Sequence, residues 1–125
     1  MKEIFDSYKN ALQRLREALE AEKTVLNRDA SIQRFEFVFE LAWKICQVFL
    51  KEQGFICRSP KECLKESFKF GLIKDDPAWL DMIEDRNLTA HTYKEKIAEA
   101  IFSRLFNYLE KFKELESSLD KKIDG

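Results

Sequence analysis

Five helix-breaking residues, Gly54, Pro60, Gly71, Pro77 and Gly125, are all that interrupt 125 residues, and four of them fall between positions 54 and 77. A β-sandwich or barrel needs a turn about every 8 to 12 residues, and this chain lacks the glycines and prolines to make them. Disorder is excluded from the other side: 11 Phe, 2 Trp and 3 Tyr carry apolar surface that water disfavours. With 36% charged and 45% hydrophobic residues, the remaining solution is long amphipathic helices. The length suits one domain over residues 1–125, with a core but not two.

The apolar spacing locates the helices. Ile4, Tyr8, Leu12, Leu15, Leu19 and Leu26 recur mostly at three or four residues, predicting a first helix from about Lys2 to Thr24. Asn27, Arg28 and Asp29 read as a polar connection, with Asp29 or Ser31 capping a second helix from about Ile32 to Gln53. In that helix Ile32, Phe35, Phe39, Ala42, Cys46 and Phe49 form one seam, and Phe37, Leu41 and Val48 a second. A helix apolar on two sides belongs between neighbours. Gly54 suits the end of this helix, Ser59-Pro60 the start of a short third with Cys63, Leu64, Ser67 and Phe68 inward, and Gly71 its end. Asp76-Pro77 opens a fourth helix burying Trp79, Leu80, Ile83 and Leu88, which ends near Thr89 to Thr92. Thr92 with Glu95 makes a capping box for a fifth, striped by Ala98, Ile101, Leu105, Tyr108, Phe112, Leu115 and Leu119, whose lysine-rich tail is expected to fray from about residue 117. The expected fold is an all-α, up-and-down helical bundle of three long and two short helices.

Composition narrows the chemistry. Lys plus Arg number 22 and Asp plus Glu 23, a net charge of −1, so a histone-like grip on nucleic acid is excluded while local basic patches are not. Cys46, Cys57 and Cys63 are odd in number and in no paired spacing, and one histidine leaves too few partners for a zinc set. The expectation is a reduced, cytoplasmic protein with no metal, no cofactor and no membrane span. Phosphate-loop, nucleophile-elbow, His-Glu-x-x-His and Cys-x-x-Cys motifs are absent. Glu36 and Glu40, four apart on the second helix, form a carboxylate pair that reads first as ordinary helix charges.

What remains is the segment Glu84 to Tyr93, which holds the single histidine at a junction between two helices. A histidine just ahead of a helix N-terminus lies near free backbone N–H groups, a seat for phosphate. Arg86, five residues before His91, supplies a planar cationic fork for phosphate oxygens. In an unbroken helix five residues rotate by about 500°, so the two converge only if the helix ends between them. Asn87, four residues before His91, becomes its neighbour wherever helix persists. The plain alternative is a hydrophilic corner in which Arg86 pairs with Glu84 or Asp85.

Arg86-Asn87-x-x-x-His91-x-Tyr93 resembles the Arg-x4-His-x-Tyr signature of the HEPN superfamily, whose small helical bundles are often toxins paired with a minimal nucleotidyltransferase antitoxin. The stretch from Ile32 to Lys44, with Phe35, Glu36, Glu40 and Trp43, is similar to the second-helix signature of its nucleotidyltransferase substrate-binding branch. The two matches together span the second to fifth helices.

The resemblance implies a metal-independent endoribonuclease acting on RNA. It casts His91 as the group moving a proton and Arg86 as the stabiliser of charge on phosphorus, with Asn87 orienting the phosphate or His91. It also implies a homodimer, which one histidine per chain makes economical, with two copies of Arg86, Lys94 and Lys96 lending local basicity. A cognate nucleotidyltransferase is the implied partner, placing AMP on Tyr93. A second class stays open: a non-catalytic subunit binding a nucleotide or substrate for that nucleotidyltransferase. A third is a helical interaction module with no ligand.

Overall fold

The computed structural model describes residues 1–124. Five α-helices follow in order: α1 (Lys2–Glu20), α2 (Val25–Glu52), α3 (Pro60–Lys69), α4 (Ala78–Leu88) and α5 (Glu95–Asp124), with a 3-10 turn (Thr89–His91) between the last two. No strand occurs among the described residues, and the all-α bundle of three long and two short helices is as expected. No helix of the described residues is long and apolar enough to cross a membrane.

The first boundary differs from expectation. α1 stops at Glu20, and α2 begins at Val25 with Thr24 as its cap, the Thr24 hydroxyl accepting the Asn27 N–H at 3.0 Å. Arg28 and Asp29 are therefore helical and not a connection, and neither Asp29 nor Ser31 caps. The Ser31 hydroxyl instead donates to the Asn27 carbonyl at 2.7 Å, inside the helix. The polar run misleads because Arg28 is a buried residue, 2% exposed, that reaches Glu95 and Glu99 of α5 as well as its neighbour Asp29.

α2 is the central helix and touches every other α-helix. Its first seam, Ile32, Phe35, Phe39, Ala42, Cys46 and Phe49, is buried as expected. Its second buried line runs through Val38 and Ile45, while Phe37 faces solvent and Leu41 and Val48 are half-buried. Burial pushes the Cys46 thiol up to about 12, so it serves as a small hydrophobe.

The breakers act at the connections. Gly54 and Gly71 have φ of +86° and +78°, the left-handed backbone that ends a helix, and Phe55 N–H closes back onto the Leu50 carbonyl. Ser59 caps α3 by accepting Glu62 N–H, with Pro60 in the first turn. Cys57 and Cys63 are joined by a disulfide, which corrects the reading of three unpaired thiols: the α2–α3 loop folds back on the first turn of α3, so a separation of six residues closes. Only Cys46 is free.

α4 buries Ala78, Trp79, Met82 and Asp85, while Leu80 and Leu88, expected inside, are exposed, as is Phe68 on α3. Its apolar residues lie on several sides, so packing and not spacing chooses the buried face. On α5 all seven stripe residues from Ala98 to Leu119 are buried, and the helix continues through Asp124, past the expected fraying point. At the centre the Phe35 ring stacks on Tyr108 at 5.5 Å, and Trp79 meets Phe112 edge-on at 5.8 Å. The buried Tyr8 hydroxyl donates to the Phe112 carbonyl at 2.7 Å, tying α1 to α5.

Candidate functional site at the α4–α5 corner

The corner is built by two ion clusters that fix its flanks. On the α4 side, Asp85 turns inward and its carboxylate accepts two hydrogen bonds from the Arg104 guanidinium of α5, both at 2.7 Å, and one from the Tyr108 hydroxyl at 2.5 Å. Burial first, and the Asp85 carboxylate second, raise the Tyr108 phenol well above its usual value, so it stays a donor.

On the α5 side, Arg28 reaches from the first turn of α2 to Glu95 at 2.6 Å and to Glu99 at 3.0 Å, while Lys23 adds a contact to Glu99 at 2.7 Å. Hydrogen bonding from Arg28 holds Glu95 below the usual carboxylate range, and Lys23 together with Arg28 does the same for Glu99. This removes the expected capping box. Glu95 is spent on Arg28, and the Thr92 hydroxyl donates to the Thr89 carbonyl at 3.0 Å instead of capping α5.

Between these anchors the chain changes helix type. α4 ends at Leu88, the residues Thr89 to His91 form a single 3-10 turn, and Lys94 N–H bonds the His91 carbonyl at 3.0 Å before α5 starts. The helical break required between Arg86 and His91 is present. Arg86, Asn87, His91, Tyr93, Lys94 and Lys96 are all exposed. Tyr93, expected at the first helical position, lies two residues ahead of α5 and is 76% exposed, because α5 begins later than the Thr92 signal implies. Its ring stands edge-on to His91 with centroids 6.2 Å apart, and Lys94 Nζ lies 6.0 Å from its centre.

Arg86 pairs with neither Glu84 nor Asp85. It crosses to α2 and forms an ion pair with Glu40 at 2.5 Å, and Glu40 in turn accepts the Trp43 indole N–H at 3.2 Å. Glu36, one turn before Glu40, is half-buried and stands near Arg86 and the Thr89 hydroxyl. Burial raises its pKa, and the like charge of Glu40 adds to this, while Arg86 and Thr89 pull the other way. Glu36 and Thr92 also line one surface groove, together with Asp29 and Gln33. Sequence reading set the Glu36 and Glu40 pair aside as ordinary charges. Their four-residue spacing put them on one face, but only the fold shows that this face meets Arg86.

Thus Arg86 is brought to Glu40 and His91 to Tyr93, on either side of one turn, and no hydrogen bond or ion pair joins Arg86 to His91 among the described residues. No cluster of three or more metal-ligating side chains occurs among those residues.

Comparison with known proteins adds a family. The chain is 34% identical over 89 residues to a Haemophilus influenzae protein described as probable ribonuclease HepT, a match covering 63% of this chain and 58% of that protein. The matched region thus spans little more than half the length of that relative. A crystal structure from Thermus thermophilus superposes with a TM-score of 0.84 at 40% identity, covering 90% of this chain and 98% of the other. A second, from Haemophilus influenzae and described as revealing the fold of a substrate binding domain of a nucleotidyltransferase, gives a TM-score of 0.71 at 26% identity over 95% of this chain and 96% of the other. The model of the family described as nucleotidyltransferase substrate binding protein like matches residues 3–121. That match takes in both anchoring clusters and the whole α4–α5 corner, and the resemblance read from Ile32 to Tyr93 is borne out: the chain belongs to the nucleotidyltransferase substrate binding protein like family.

Proposed function

We propose that this protein is a HEPN-type ribonuclease toxin whose site is the α4–α5 corner. The carrying observation is the placement of the single histidine, exposed on a 3-10 turn directly after the helix that presents Arg86. The 34% identity to a probable ribonuclease supports it. Arg86 stabilises charge developing on phosphorus, His91 transfers a proton, and Asn87 orients the phosphate. Lys94 and Lys96 attract the RNA backbone, and a two-fold dimer doubles that basicity across one cleft. Cleavage requires no metal: the ribose 2′-oxygen bonds to phosphorus, the P–O5′ bond breaks, and a 2′,3′-cyclic phosphate results.

Control falls to a partner nucleotidyltransferase in this reading. The Tyr93 phenol attacks the α-phosphorus of ATP, losing its proton, and pyrophosphate leaves. The exposure of Tyr93 and its place beside His91 support this, because an attached AMP brings a phosphate that competes for Arg86 and a base that occupies the site.

The alternative is a non-catalytic subunit that holds substrate or nucleotide for the nucleotidyltransferase. It is favoured by the relative described as a substrate binding domain and by the Glu40 carboxylate that already neutralises Arg86. Purified protein assayed on RNA in EDTA separates the two. Cleavage leaving a cyclic phosphate is expected, with Arg86→Ala and His91→Ala abolishing it at a stability cost of at most about 1 kcal/mol. An inert wild type that binds the nucleotidyltransferase tightly establishes the second reading. An adduct formed with that enzyme and ATP is expected on Tyr93 and lost in Tyr93→Phe; labelling at Tyr8 or Tyr108 refutes the assignment.

A further inference from the structure

Cleavage by a 2′-hydroxyl needs two proton transfers, one from the attacking oxygen and one to the leaving oxygen, and the chain holds one histidine. Five carboxylates stand near the corner on its α2 and α4 sides, and of these Glu84 is exposed to water. Asp85 is enclosed by Arg104 and Tyr108. Asp29 is bonded to Arg28, and Glu40 is occupied by Arg86 and Trp43. Glu36 differs: it forms no ion pair among the described residues, it is half-buried, and it lines a surface groove that Thr92 also lines. The spacing of α2 sets it one turn from Glu40, and so one turn from the carboxylate gripping Arg86.

We propose, resting on the ribonuclease reading, that Glu36 is a second catalytic residue of this site, the general base that takes the ribose 2′-hydroxyl proton. The step balances within one chain. The 2′-oxygen forms its bond to phosphorus as its proton passes to the Glu36 carboxylate, and the P–O5′ bond breaks as the leaving oxygen takes a proton from the His91 imidazolium. Arg86 meets the charge on the non-bridging oxygens by exchanging Glu40 for phosphate. Solvent then returns His91 to its charged form and Glu36 to its ionised form.

The environment suits the role. Burial and the like charge of Glu40 make Glu36 a stronger base than an exposed carboxylate, and Arg86, with the Thr89 hydroxyl, keeps the ionised form accessible. The charged groups around it are Arg86 from α4 and Glu40 and Asp29 from α2.

The test is the pH dependence of kcat/KM for RNA cleavage in EDTA, measured on the full chain as wild type, Glu36→Gln and Glu36→Asp. The wild type should show an acidic limb, its rate rising with pH as Glu36 ionises. Glu36→Gln, which keeps the shape and adds no charge, should melt near the wild type, lose about 10²- to 10⁴-fold in rate, and lack the acidic rise. Glu36→Asp should be slower but retain the rise. A Glu36→Gln protein within a few-fold of wild type, or a slow one whose residual activity keeps the same acidic limb, overturns the assignment and leaves the ribonuclease reading intact. A wild type that cuts no RNA overturns both.

Discussion

Asp85 is the one buried carboxylate among the described residues, and it is met by hydrogen-bond donors from α5. Two N–H donors from Arg104 and the Tyr108 hydroxyl satisfy both of its oxygens. The Arg104 side chain is 42% exposed, so water can take it back when Asp85 is removed, whereas the Tyr108 hydroxyl is left without an acceptor. Asp85→Ala is therefore expected to cost about 1–3 kcal/mol, read from the midpoint of urea unfolding, with most of the loss reproduced by Asp85→Leu. A cost as large as a fully buried ion pair would give, or none, contradicts this. Such residues were invisible in the sequence. Nothing in Glu84-Asp85-Arg86 says which charge turns inward, because the partners arrive from 19 and 23 positions further along. The exposed motif residues were legible for the opposite reason: a lone histidine needs no partner to be noticed.

At the scale of elements, α2 and α5 are joined at their N-terminal ends by charge and along their length by apolar packing. Arg28, Glu95, Glu99 and Lys23 make the charged junction. Glu95 and Glu99 have folded-state pKa values below the unfolded value, so their contribution is fully present above the unfolded pKa and is lost as pH falls through the folded one. Stability should begin to fall as pH drops below the ordinary glutamate value of 4.5, and Arg28→Met, which removes the Glu95 pair and leaves Glu99 only Lys23, should flatten that slope. Urea midpoints at stepped pH for both proteins check this; parallel slopes sink it. The same junction explains two misplaced boundaries. Glu95 looked like the second half of a capping box and Arg28 like a loop residue, since each was judged by its neighbours in sequence, while the partner that stabilises it lies 67 positions away. Where a helix shows water only one face, as α5 does, spacing was sufficient, and every stripe residue is buried. α4 offered apolar residues on several sides, and spacing picked Leu80 and Leu88 where the core uses Met82.

For the whole molecule, one core runs from Phe5 to Leu119, and all five α-helices contribute to it. That unity was readable from the scarcity of breakers and the doubled seam of α2. The Cys57–Cys63 bridge was not, since spacing alone cannot tell a paired thiol from a buried one, as Cys46 shows. The bridge spans an exposed arginine, Arg58, just ahead of the cap of α3. A tryptic nick after Arg58 would cut the backbone inside the loop that the bridge closes, leaving pieces of 58 and 67 residues still covalently joined. Nicked protein should thus run as one band on a non-reducing gel and as two after thiol treatment; two bands without reductant would show the bridge open. A chain so closed can be cut inside the bridged loop and lose neither half, so a wound there is one the molecule survives in one piece.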